Sequence, residues 1–150
     1  MTKTTDKEHA ALEQKCSDWE NLQIKITSLT IHEKIKGLEA FHQELQANKE
    51  LYRWVIGSVS HVLADSFLEL KNKAKEDEYV KMAEDYYIES LSETTIAYNT
   101  AIKNKSLTSG KLKEIKIGLI DVLTDLLQLF KDHDKPWGIR QLLDLWKTIH

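Results

Sequence analysis

Several side-chain pairs in this chain stand at spacings that could do chemistry, because residues three and four apart share one face of a helix. Glu39 and His42 bring a carboxylate and an imidazole together in this way. Helical di-iron centres need that pair twice, with a further Glu on each of two other helices, and here it occurs once. His42 also falls in an apolar row with Leu38 and Leu45, so a histidine at the core margin is the preferred reading. His61 and Asp65 stand beside Gly57 and Ala64, where small side chains could floor a crevice, and they make the best hidden-site candidate. Asp121 and Asp125 could share a divalent cation. A solvated strip that also takes in Glu114 and Asp132 is the preferred reading there.

The dipeptide His133-Asp134 resembles that of HD-type phosphohydrolases, in which histidines and aspartates converge on metal, but only in its two letters. It stands just before Pro136, and a solvated loop with Asp134 as a helix cap is expected. The run from Leu107 to Lys111 ends in Gly-Lys, but Lys105 stands where a phosphate-binding loop needs its first glycine, and Leu112 replaces the hydroxyl residue. Cys16 lies within an apolar stripe with no basic group evidently placed to lower its pKa, which marks it as a buried small hydrophobe. No metal, cofactor or catalytic residue is assigned from these patterns.

A different feature stands above them. From Glu76 to Glu93 the acidic residues Glu76, Asp77, Glu78, Glu84, Asp85, Glu89 and Glu93 face Lys81 alone, and Tyr79, Tyr86 and Tyr87 are interleaved. Tyrosine brings contact area at modest entropic cost, and carboxylates steer a basic partner. Tyr79, Glu84, Asp85, Tyr86 and Glu89 are therefore the expected partner-binding residues. Acids early in a helix also suit its dipole, and Tyr87 is expected in the core.

These residues require helices to position them. The chain of 150 residues has five glycines and one proline, too little turn chemistry for a β-protein. Leu112, Ile115, Leu119, Val122, Leu123, Leu126, Leu127 and Phe130 make the densest apolar run, a helix over 111–132 on which the rest is expected to pack. Thr30 and Glu33 have the spacing of a reciprocal helix-start cap. The second helix so begun should end near Asn48, and further helices are expected over 6–29, 49–73 and 77–103, the last weakened at Ser92, Thr94 and Thr95. Pro136 suits the first turn of a final helix.

The sequence thus predicts an all-α, single-domain bundle of five or six mostly antiparallel helices over 1–150, with residues 1–5 frayed. A net charge of −3 gives no pull toward nucleic acid or an anionic membrane. The lone cysteine and the absence of an apolar leader suit the cytoplasm. The expected function is a small acidic protein-binding module, of adaptor, inhibitor or immunity type, that needs no catalysis and recognises a basic surface. The alternatives are a metal-dependent helical hydrolase using His61 and Asp65 or Asp121 and Asp125, and a structural homo-oligomer, such as a homodimer, paired across a symmetry axis through Trp137, Leu145 and the last helix.

Overall fold

The helices that begin at Ile31, Lys73 and Ser109 each start where a side chain satisfies a free backbone N–H. In the computed structural model, which describes residues 6–149, Thr30 Oγ1 accepts from Glu33 N at 3.3 Å while Glu33 Oε1 accepts from Thr30 N at 3.3 Å. That reciprocal cap starts the second of six helices. They are α1 (Asp6–Ile26), α2 (Ile31–Leu45), α3 (Arg53–Glu69), α4 (Lys73–Lys103), α5 (Ser109–Asp132) and α6 (Pro136–Ile149), with a 3₁₀ turn (Gln46–Asn48) after α2. Asn72 and Thr108 cap α4 and α5 through Lys75 N and Lys111 N, each at 3.2 Å. Pro136 is the first residue of α6, where a missing N–H costs nothing. The frayed start expected for residues 1–5 lies outside the described residues. No strand occurs among those described, and no helix there is long and apolar enough to cross a membrane.

Two helix ends depart from expectation. α3 and α5 both close through a left-handed residue that is not glycine, Lys71 at φ 58° and Asp134 at φ 55°. Asn72 N then reaches Phe67 O at 2.9 Å and Lys135 N reaches Phe130 O at 2.8 Å, the backbone pattern that takes up orphan carbonyls at a helix end. Asp134 therefore belongs to the end of α5 rather than to the start of α6. Asn48 has no left-handed conformation, and α2 gives way to the 3₁₀ turn instead. α4 runs unbroken past Thr94, whose hydroxyl bonds back to Ser90 O at 2.9 Å.

Side-chain pairs fix the directions of the helices. Trp19 stacks on Phe41 and Lys15 pairs with Glu44, so α1 and α2 run antiparallel. Tyr79 bonds to Glu39 and Met82 lies against His42, partners that advance together along α4 and α2, so those two are parallel. Trp54 bonds to Asp125 and His61 to Asp132, which makes α3 and α5 parallel. With consecutive helices packed on one another, the chain goes up and down.

The centre of the bundle is α3, not α5. α3 touches α1, α2, α4 and α5, whereas α5 touches α3, α4 and α6. The N-terminal part of α5 is loosely held, with Leu112 and Ile115 half-buried and Ile117 48 % exposed. What favours α3 is its row of small residues, Gly57, Ser60 and Ala64, all buried. A Cβ added to Gly57 would come within 2.8 Å of the Tyr87 ring, so α4 approaches α3 at a distance only glycine permits. The small-residue row is a packing seam rather than a crevice floor. Trp54 packs against both apolar clusters, one built by α1, α2, α3 and the start of α4, the other by the middle of α4 with α5 and α6.

Candidate functional site

The left-handed turn at Asp134 has a chemical consequence, because it leaves His133 as the cap of α5, with its N–H on Leu129 O at 3.1 Å and its side chain turned into the bundle. His133 is 7 % exposed. Its Nδ1 lies 2.6 Å from Glu76 Oε2, in the first turn of α4, and its Nε2 lies 2.8 Å from Asp65 Oδ1, near the end of α3. One imidazole thus joins three helices. Glu76 is itself buried at 4 % exposure, and Lys73 Nζ stands 3.7 Å from its other oxygen.

His61 stands one turn before Asp65 on α3 and extends the cluster. Its Nε2 lies 3.1 Å from Asp132 Oδ2 and 3.8 Å from Asp65 Oδ1, and its Nδ1 lies 3.5 Å from the Tyr87 hydroxyl. The two imidazole rings meet edge to face at 6.1 Å between centroids. One potential ligand atom from each of His61, Asp65 and His133 lies within 4.8 Å of the other two. The side chains of Asp65 and Asp132 are 44 % and 29 % exposed, so one flank of the cluster is open to solvent.

The electrostatics follow from the partners. Burial opposes a charge on His133, but its hydrogen bonds to Asp65 and Glu76, with their negative charge, outweigh burial and hold its pKa above the usual imidazole value. A positive charge at the end of α5 and a negative one at the start of α4 also match the helix dipoles. Burial, and then the charge of Asp125, pushes the Tyr87 phenol far above its usual range, so it remains neutral.

The expected candidates fare differently. His61 and Asp65 do come together, joined by Asp132, by Glu76 and by His133. The solvated loop expected for His133 is thus replaced by a buried, doubly bonded side chain, because the α5 cap turns it inward. The carboxylate stripe on α5 is not left to water either. Trp54 Nε1 donates to Asp125 Oδ2 at 2.9 Å and His61 meets Asp132, so α3 claims two of its members while Asp121 stays exposed. Burial raises the Asp125 pKa, against the Trp54 hydrogen bond and the nearby His61. Glu39 and His42 face different partners: Glu39 accepts from the Tyr79 hydroxyl at 3.1 Å, and His42 Nε2 lies 2.9 Å from Met82 Sδ. Cys16 is half-buried, and burial followed by Glu20 and Glu13 raises its pKa, which disfavours the thiolate.

Of the expected partner-binding residues, Tyr79 is buried and stacked on Phe67, so it is core rather than surface. Asp85 and Glu89 are exposed, Glu84 and Tyr86 half-buried, and Tyr86 packs against the first apolar cluster. On α6, Leu145 packs into the second cluster and Leu143 is 46 % exposed, while the side chain of Trp137 lies outside those described. Glu76 and His133 were missed as site residues because each looks ordinary locally, one as an acid in a first turn and the other as a loop histidine. Only their meeting across the fold gives them a role. Comparison with protein-family models, with curated protein sequences and with solved structures found no match to the chain.

Proposed function

We propose that this bundle binds a divalent transition-metal ion of the zinc class between His61 Nε2, Asp65 Oδ1 and His133 Nε2. The observation that supports this reading is that one potential ligand atom from each of these three residues lies within 4.8 Å of the other two. A tetrahedral Zn²⁺ with bonds near 2.0 Å sets its ligand atoms about 3.3 Å apart. The separations of 2.8 Å between His133 and Asp65 and 3.8 Å between His61 and Asp65 straddle that value. The outer contacts also suit a metal site, for His133 Nδ1 donates to Glu76, the carboxylate behind a ligating imidazole that fixes its tautomer. The Tyr87 oxygen can take the same part behind His61.

Two imidazoles and one carboxylate leave a tetrahedral ion one position for water, and Asp132 is a further carboxylate able to take up its proton. The corresponding chemistry is metal-assisted hydrolysis. The ion must displace the proton that His133 shares with Asp65, so its affinity rises with pH. A reducing cytoplasm suits a protein with one half-buried cysteine.

Titration calorimetry with Zn²⁺, and the visible absorption of bound Co²⁺ as a reporter of the ligands, test the reading. One ion per chain is expected, with binding abolished by His61→Gln and weakened about 10- to 100-fold by Glu76→Gln. The metal reading is rejected if the unaltered chain takes up no ion, or if His61→Gln binds as well.

The protein-binding reading keeps one supporting observation. Beside the exposed Asp85 and Glu89 lies a groove of about 360 Å³ between α4, α5 and α6, lined by Glu84, Ile88, Leu91, Leu142 and Leu145 among others. An amphipathic helix with a basic flank is the partner that such a surface fits. A synthetic Lys/Leu amphipathic peptide should bind the chain and lose affinity when Glu84, Asp85 and Glu89 are all changed to Lys. Equal binding by both chains would sink this reading.

A further inference from the structure

The solvated face of a helix normally carries charges, yet residues 94–102 of α4 carry none, although charged residues make up 30 % of the sequence. Ile88, Ile96 and Ile102, on this stretch or shortly before it, stand in water at 47, 55 and 54 % exposure. Ile88, Ser92, Thr95, Asn99 and Ile102 follow one another at alternating steps of four and three, the spacing of a coiled-coil seam. None of the five is buried, and the buried Ala83, Tyr87 and Ser90 lie on the other side of the helix.

The seam reads alike in both directions. Laid antiparallel on a second copy, Ile88 meets Ile102, Ser92 meets Asn99 and Thr95 meets Thr95, a match that a two-fold axis through Thr95 repeats on both sides. The flanking row is self-complementary in charge as well. Glu89, Ile96 and Lys103 stand at seven-residue intervals beside the seam, and the same axis sets Glu89 against the second copy's Lys103 and Ile96 against Ile96. Nearby charges are taken within the chain, Asp85 by Lys81 at 3.7 Å and Glu93 by Arg53 at 3.0 Å. Glu89 and Lys103 are exposed and form no ion pair among the described residues.

We propose that the chain forms a two-fold symmetric dimer in which this face of α4 packs antiparallel on the same face of a second copy. Charge selects this occupant. A second copy brings Lys103 to Glu89 twice, whereas a basic helix would satisfy Glu89 and set like charge against Lys103. Ser92, Thr95 and Asn99 make the middle of the seam polar, so they fix its direction at a cost in affinity. A seam one helix wide also falls at the low end of interface sizes. Association is therefore reversible, with a dissociation constant in the micromolar to submillimolar range. The face shares only Ile88 with the lining of the groove between α4 and α6 and nothing with the histidine cluster, so it rests on neither reading above.

Sedimentation equilibrium of the full chain from low micromolar to submillimolar concentration tests this, with EDTA present so that no metal bridges two copies. A reversible equilibrium between monomer and dimer is expected. Glu89→Lys and Lys103→Glu should each weaken it about 10-fold, since each sets like charges together at two symmetry-related places, and the double variant should restore it. Ile96→Asp puts two carboxylates on the axis and should abolish the dimer, with circular dichroism showing that the helices persist. Leu143→Lys, at an exposed position on α6, should leave association unchanged. The proposal is overturned by a monomer at every concentration, by a dimer that survives Ile96→Asp, by a double variant no tighter than the single ones, or by an equal loss in Leu143→Lys.

Discussion

His42 and His133 are both histidines drawn away from water, and the structure drives them in opposite directions. His42 lies between α2 and α4 with a thioether at 2.9 Å and the Tyr79 ring edge-on at 5.9 Å between centroids. Burial lowers its pKa, and Glu39 recovers only part of the shift. His133 is also buried, yet two carboxylates at 2.6 and 2.8 Å raise its pKa. Burial alone does not decide the charge of an imidazole here. The partners decide it, and these come from helices remote in sequence.

The comparison is broken most severely by His133→Leu. Glu76 would keep its burial but lose its close partner, and removing one member of a buried pair typically costs about 3–5 kcal/mol. The same change at His42 should cost less than about 1.5 kcal/mol, since Leu suits an apolar site of similar volume. Urea unfolding of both variants near pH 6 measures the contrast, and equal costs would mean that the carboxylates do not set it.

A milder break is the pH dependence of stability. With its pKa raised in the folded chain, His133 contributes stability that is fully present below the unfolded value of about 6.5 and is lost as pH rises through the folded value. His42, with its pKa lowered, contributes stability that is present above about 6.5 and is lost as pH falls toward the folded value. Unfolding midpoints from pH 5 to 8 should therefore lose their alkaline decline in a His133 variant and part of their acid decline in a His42 variant. Unchanged profiles in both would contradict the opposed shifts.

The smallest effect sharpens the comparison. Met82→Leu keeps the apolar surroundings of His42 and removes the thioether, at an expected cost under about 1.5 kcal/mol. NMR titration should find the His42 pKa still depressed. A return to the ordinary value would give the sulfur, rather than burial, the controlling part.

Much of this architecture was legible in the sequence, because local rules determine it. Apolar periodicity placed His42 at the core margin and Cys16 in its stripe, while Thr30 with Glu33 and Pro136 marked helix starts. The site was legible only in half. His61 and Asp65 share a helix, and their spacing shows it. His133 reaches them through a left-handed cap at Asp134, a conformation that glycine would have advertised and aspartate does not, and Glu76 reaches them only through His133. Tyr79 misled because a helix with acids on most sides conceals which tyrosine faces inward. The prominence of α5 misled as well, since apolar density is visible in a sequence and the close approach that Gly57 permits is not.

The clasp around His133 also bears on the order in which the chain assembles. His133 stands 57 residues from Glu76 and 68 from Asp65, so its contacts are expected to form after the shorter-range packing of α3 on α4. Contacts that close such long loops bring their return late on the way to the native state. Weakening the clasp should accordingly hasten unfolding while leaving the refolding rate nearly untouched, so that this histidine governs how long the native chain persists rather than how quickly it forms.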